Sequence, residues 1–154
     1  MKLESAAFVN NGKIPSKYTC DGEGVSTPLV WSEIPAGTRT LALIMDDPDI
    51  PQFVKEKLGI TEFDHWIVFN IPPEFSGVAE GEAPHGTHGK NSQGTVGYVS
   101  PCPPDREHRY IYYLYALDTE LALGEGATKA ELMEAMQGHV VERATLIGRY
   151  ERNK

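Results

Sequence analysis

The amino-acid sequence predicts a mostly antiparallel β architecture, roughly six strands against one helix, with both faces of the main sheet largely covered. Three observations carry that expectation. The 154 residues include eleven prolines and fifteen glycines, more turn formers than a helical bundle tolerates. Several apolar runs are of strand length and rich in β-branched and aromatic residues. Only one segment combines capping residues with helical spacing. No repeat or linker divides the chain, so residues 1–154 read as one domain with 40% hydrophobic and 23% charged residues, enough to bury a core.

Taken in order, Leu3–Val9 reads as a short strand, followed by a Gly-, Asn- and Asp-rich loop over Asn10–Thr27. Leu29–Ile34 is a second strand, ended by the turn signal Pro35-Ala36-Gly37. Thr40–Met45 is a continuous apolar strand, stopped by the two prolines of Asp46-Asp47-Pro48-Asp49-Ile50-Pro51. Gln52–Gly59 has room for a short helical turn. Phe63–Ile71 reads as a buried strand closed by Pro72-Pro73, and Gly81–Pro104 as a long irregular stretch. His108–Asp118 is aromatic and β-branched on both faces, the strongest strand signal in the chain. Thr128-Lys129-Ala130-Glu131 is a capping box, with Leu132, Met133 and Met136 following as core-packing residues. Ala144–Tyr150 is a last strand.

Charge narrows the partners. A net charge of −8, without a dense Lys/Arg stripe, argues against nucleic acid and against electrostatic attachment to anionic membranes. A single local anion site remains open, because a few aimed donors outweigh a distant, screened net charge. The N-terminus lacks a signal-length apolar run and no segment approaches a membrane span, so the expected location is cytoplasmic, without integral membrane association. Cys20 and Cys102 make no disulfide framework and lack paired metal-ligand spacing; in a reducing compartment they are expected to be free thiols.

Unusual chemistry collects at three strand ends. Asp47 and Asp49 follow the first long strand, His65 lies near the start of the next, and His108 opens the aromatic one. By alternation His65 shares parity with Ile67 and Phe69, and His108 with Tyr110 and Tyr112. Either histidine alone reads as a core or rim residue. Two of them beside an Asp-Pro-Asp turn suggest imidazoles kept protonated by carboxylates and offering N–H donors to an anion. Three prolines stiffen the Ser100–Glu107 loop, which alone reads as a rigid connector.

These elements resemble the phosphatidylethanolamine-binding protein family, also called the Raf kinase inhibitor protein family. Asp47-Pro48-Asp49-Ile50-Pro51 matches its D-P-D-x-P motif, and His65 within Phe63–Asn70 its second motif. Cys102-Pro103-Pro104 with His108-Arg109-Tyr110 is similar to its P-P…H-R-Y segment. Ile14–Gly22 and Leu146–Tyr150 resemble the bacterial and archaeal branch. The resemblance implies a large central antiparallel sheet, a smaller second sheet and a C-terminal helix. It also implies a small cavity at the sheet edge for phosphate, acetate or a phospholipid head group. Carried over, the site would use Asp47, Asp49, His65, His108 and Tyr110, completed by backbone around Cys102 and Pro104. Val99-Ser100 stand where prokaryotic members usually have glycine, and Phe63 and Asp64 where eukaryotic members have tryptophan and histidine. Eukaryotic head-group preference and kinase inhibition therefore do not transfer, and any protein target stays unassigned. A homodimer is expected, since prokaryotic members often pair and sheet edges need cover.

The competing reading is a hydrolase or metal-dependent enzyme using Asp47, His65 and His108. A cysteine phosphatase fails on spacing, because His108 and not Arg109 is the sixth residue after Cys102. It fails again on Pro103 and Pro104, which lack the amides such a loop needs. His85 and His88 sit in a Gly-rich loop and read as surface residues. No catalytic residue, metal or cofactor is assigned. Two aspartates beside an anion must either point at histidine and backbone donors or meet the cationic part of a zwitterion.

Overall fold

The computed structural model describes residues 1–152, and among these it contains nine strands and two α-helices. The strands are β1 (Lys2–Glu4), β2 (Gly12–Lys13), β3 (Leu29–Ser32), β4 (Thr40–Asp47), β5 (Phe63–Ile71), β6 (Gly77–Val78), β7 (Thr87–His88), β8 (His108–Leu117) and β9 (Val140–Tyr150). The helices are α1 (Gln52–Leu58) and α2 (Lys129–Met136). Six strands form the central sheet in the order β2-β9-β8-β4-β5-β7, and β1-β3-β6 form a small one. Pairing is antiparallel except between β2 and β9.

β5 spans the residues its sequence indicates, whereas three other boundaries move for identifiable reasons. β1 stops at Glu4 because the Ser5 hydroxyl donates to the Pro28 carbonyl and accepts from the Ala7 N–H, turning the chain. β4 runs on through both aspartates, which pair with Asp64 and Phe63 on β5. β9 begins at Val140, ahead of the apolar stretch, because it stays in register with the whole of β8.

The central sheet is buried on both faces. On one, Leu43 and Met45 of β4, Trp66 and Val68 of β5, and Tyr112 and Leu114 of β8 pack against Leu29 and Trp31 of the small sheet. On the other, Ala42, Ile44, Ile67 and Phe69 meet Leu132 and Met136 of α2. The α2 cap forms as read: Thr128 Oγ1 accepts from the Glu131 N–H and the Glu131 carboxylate from the Thr128 N–H. Met133 leaves the expected core stripe and is 41% exposed. Gly148 must be glycine for space, since a Cβ there would lie 2.5 Å from the Ile14 side chain.

One irregularity decides where the site histidine points. Met45 pairs with Trp66, but Asp46 pairs with Asp64, so His65 is an extra residue, a β-bulge. His65 therefore turns to the same face as Trp66, against Tyr110 at 5.3 Å between ring centroids. Strict alternation would have sent it to the helix face beside Ile67 and Phe69, and the parity expectation is corrected accordingly.

The cysteine expectation is also overturned. Cys20 and Cys102 form a disulfide, their Cα atoms 5.4 Å apart across a sequence separation of 82. The fold lays the two loops side by side, with the Cys20 N–H donating to the Pro101 carbonyl at 3.0 Å. Among the described residues, no helix is long and apolar enough to cross a membrane.

Candidate functional site

At the end of the central sheet where β4 finishes and β5 and β8 begin lies a cavity of about 150 Å³. It is lined by Asp47, Ile50, Phe63, His65, Val99, Ser100, Cys102 and Tyr110. Four of the seven residues expected at the site line it: Asp47, His65, Cys102 and Tyr110. Asp49, Pro104 and His108 do not.

His108 stands behind the cavity, not in it. Its side chain is 1% exposed, with Nδ1 2.6 Å from Asp47 Oδ2 and Nε2 2.6 Å from Asp105 Oδ1. Carboxylate oxygens accept, so both ring nitrogens donate and the ring is an imidazolium. Burial works against that charge, but the hydrogen bonds and charges of Asp47 and Asp105 outweigh it and raise the His108 pKa above its usual 6.5. The expectation that His108 donates to an anion is corrected by this geometry, since both its donors are already engaged.

The two aspartates of the Asp-Pro-Asp turn divide their work. Asp47 uses Oδ2 on His108 and Oδ1 on the Asp49 N–H at 2.8 Å, tightening the turn around Pro48. Asp49 turns away and clamps Arg109, accepting from Nε, Nη2 and the backbone N–H, each at 2.9 Å. The Arg109 side chain, ahead of the opposing cost of burial, holds the Asp49 carboxyl below its usual range. Both carboxylates point at protein donors.

His65 differs from His108 in every respect that matters. The Val99 N–H donates to the bulged His65 carbonyl at 2.9 Å, and His65 Nδ1 donates back to the Val99 carbonyl at 2.7 Å. That contact fixes the tautomer and leaves Nε2 without a partner among the described residues. Burial lowers the His65 pKa, against smaller opposing effects of the Val99 carbonyl and Asp47, so the ring is neutral near pH 7. The Tyr110 hydroxyl has no partner among the described residues either, and burial followed by the nearby Asp47 charge raises its pKa, keeping its proton in place. The cavity thus presents one bare imidazole nitrogen and two hydroxyls, those of Tyr110 and Ser100, among largely apolar walls.

Asp47, His65 and His108 do not converge as metal ligands, because His108 has both nitrogens on carboxylates and His65 Nδ1 is on a carbonyl. Among the described residues, the set whose ligand atoms lie within 4.8 Å of one another is Asp46, Glu62 and Asp64, on the opposite face of the sheet. Lys129 already stands among them, its Nζ 3.0 Å from both Asp46 Oδ2 and Asp64 Oδ1. His85 stacks on Phe75 at 4.1 Å, outside either cluster. The residues missed in the sequence are Asp105, the second acceptor for His108, and Ile50, a wall of the cavity. A polar residue three positions before a strand-opening histidine was the available signal for Asp105.

Comparison with known proteins bears on the same elements. A family model described as phosphatidylethanolamine-binding protein matches residues 4–151. A UPF0098 protein of Methanothermobacter thermautotrophicus is 49% identical, over 99% of this chain and 99% of the relative. One from Chlamydia muridarum is 48% identical, over 99% of this chain and 100% of the relative. The crystal structure of the Chlamydia trachomatis protein CT736 matches with a TM-score of 0.94 and 45% identity, covering 99% of this chain and 97% of that one. E. coli YbcL, described as a new member of the mammalian PEBP family, shares the fold with a TM-score of 0.86 at 24% identity, over 99% and 98% of the two chains.

Proposed function

We propose, from the premise that the chain belongs to the phosphatidylethanolamine-binding protein family, that its sheet-end cavity binds a small phosphate-type anion, free or as a phospholipid head group. Family membership supports a binding role in general; the identity of the ligand is our own reading. The observation that carries it is the division of polar groups at the site. The surrounding charges are consumed by one another, and the lining polar groups left to a ligand among the described residues are the Tyr110 and Ser100 hydroxyls and His65 Nε2.

The cavity admits a phosphate but not the drug-sized ligands that need about 300 Å³ or more, so the remainder of a phosphomonoester stays outside. A phosphate oxygen accepts from the Tyr110 hydroxyl. Neutral His65 offers a lone pair, so a second contact needs one proton between Nε2 and the ligand, held by either. A hydrogen-phosphate monoanion brings that proton itself and loses it above pH about 6. Affinity therefore falls as pH rises, and binding at pH 7.5 takes up protons from buffer. As a regulatory or inhibitory module, the same site would take a phosphorylated side chain of a protein in place of the lipid head group.

Calorimetric titration of inorganic phosphate and O-phosphoethanolamine at pH 5.5 and 7.5 tests this. Wild type should bind both more tightly at the lower pH, and Tyr110→Phe should weaken binding about tenfold. Failure of wild type to bind either ligand at millimolar concentration, or equal binding by Tyr110→Phe and His65→Gln, would exclude the assignment.

The disulfide alters the expected compartment. A bond that stays closed fits a compartment where thiols are oxidised or the cytoplasm of hyperthermophiles, and in an ordinary reducing cytosol it fits only transient or redox-sensing use.

A further inference from the structure

We propose that Cys20–Cys102 is a site of reversible thiol–disulfide exchange that controls one wall of the cavity, its functional half resting on the anion reading above. Three observations converge on it. Both cysteines are exposed, so an incoming thiol reaches the bond without unfolding the core. Val99, Ser100 and Cys102, three of the eight residues lining the cavity, come from the single segment that the bond tethers. That segment has no regular secondary structure between the bridge residue Val96 and β8.

The two ends of the bond are not equivalent. Cys20 belongs to an anchored loop: Tyr18 is buried in the core, and Asp21 accepts from the Tyr150 hydroxyl at 2.6 Å and from Arg152 at 2.9 Å. Cys102 lies in the Pro-rich loop, whose Pro101 carbonyl accepts from the Cys20 N–H at 3.0 Å. The covalent bond and that hydrogen bond tie the wall to the same post. His65 is held separately, through the paired contacts with Val99. Opening the disulfide thus leaves Val99 paired with His65 and loosens the rest of the wall, Ser100 to Cys102.

The exchange is an ordinary two-electron step. A thiolate of an external dithiol attacks one sulfur of the bond, forming a mixed disulfide and expelling the other cysteine as a thiolate, which takes up a proton. The second thiol of the dithiol displaces the protein cysteine. The dithiol ends oxidised to its disulfide, and Cys20 and Cys102 end as thiols, with two electrons and two protons transferred. The reduced site must order its wall again on binding, and lost pre-organisation lowers affinity.

The test uses the intact protein with dithiothreitol as the dithiol and inorganic phosphate as the ligand. Iodoacetamide should label no cysteine before reduction and two after it, without denaturant. Far-UV circular dichroism should be unchanged, phosphate affinity should fall about tenfold, and amide exchange should quicken at Cys20, whose N–H donates to the Pro101 carbonyl, while Val99 stays protected. A bond that resists dithiothreitol until the chain is denatured overturns the proposal, as does global unfolding on reduction. An unchanged phosphate affinity in the reduced, folded protein does so too. If oxidised protein binds no phosphate at all, the anion reading fails by itself. Amide exchange then decides the redox inference: quickening at Cys20 sustains it, and unchanged exchange there sinks it.

Discussion

Asp46 and Asp47 are adjacent on β4, and alternation sends them to opposite faces of one sheet. Each enters a cluster of ionisable groups, and the clusters behave differently. Asp47 meets the imidazolium of His108, a buried pair whose second ring nitrogen reaches out to the partly exposed Asp105. Asp46 meets Glu62, Asp64 and a single ammonium, that of Lys129. Three carboxylates around one cation cannot all be satisfied. Burial pushes Asp46 and Asp64 above the usual carboxylate range, against the pull of Lys129. Burial also opposes the charge on Lys129, but the carboxylates outweigh it and hold the ammonium proton above the ordinary lysine range. The supply of cations, not the number of acids, separates a fixed pair from a frustrated cluster.

Removing the lone cation is the strongest test of that difference. Lys129→Met should cost about 3–5 kcal/mol in urea denaturation at pH 7, the usual result of stripping one partner from a buried ionic group. The loss should shrink toward pH 4 as the carboxylates take up protons. A loss below about 1 kcal/mol, typical of surface ion pairs, would show that the cluster is solvated and break the comparison.

On the other face the effect should be smaller. Asp47→Asn should cost about 2 kcal/mol, the value of a charge-assisted hydrogen bond, and should couple to His108→Gln in a double-mutant cycle. The pair has a pH signature. The His108 pKa is raised on folding, so its contribution is complete below 6.5 and is lost as pH rises through the folded-state value. His65 has the opposite sign: its pKa is lowered, so its contribution is present above 6.5 and is lost on acidification. His108→Gln should flatten the alkaline side of the stability–pH curve, and an unchanged curve would contradict the imidazolium.

The smallest effect sharpens the contrast most. Asp64 Oδ1 is buried without a hydrogen-bond partner, although Lys129 Nζ lies 3.0 Å away, so that contact is an ionic attraction outside hydrogen-bond geometry. Asp64→Asn removes a surplus charge and should be neutral or stabilising by up to about 1 kcal/mol at pH 7, where Asp47→Asn destabilises. Because the Asp64 pKa is raised, its contribution is present below 3.8 and lost as pH rises through the folded value. The gain from the substitution should therefore vanish in acid. A clear destabilisation by Asp64→Asn at pH 7 would mean that all three carboxylates are needed.

The two clusters were not equally legible in the sequence. Asp47, His65 and Tyr110 sit in local motifs, and β5 and β8 announce themselves by composition over nine and ten residues. The capping box located α2 from four residues, Thr128 to Glu131. Lys129 within that box read only as part of a helix start, because its partners lie 65 to 83 positions away, from Asp64 back to Asp46. Distance in sequence hid the disulfide too, since a count of two cysteines carries no information about which loops the fold places together. The bulge left no signal, because Phe63–Ile71 is apolar on both faces and alternates acceptably in either frame.

That bulge makes His65 supernumerary. Phe63 and Asp64 pair with Asp47 and Asp46, Trp66 pairs with Met45, and no residue of β4 stands opposite the imidazole. Losing the single codon for His65 would let the ladder close, with Phe63 still facing the cavity and Asp64 still facing Lys129. In terms of the ladder, His65 is one residue more than the pairing of β4 with β5 requires at that point. One in-frame deletion would thus remove the imidazole of the candidate site while leaving the strand pairing intact.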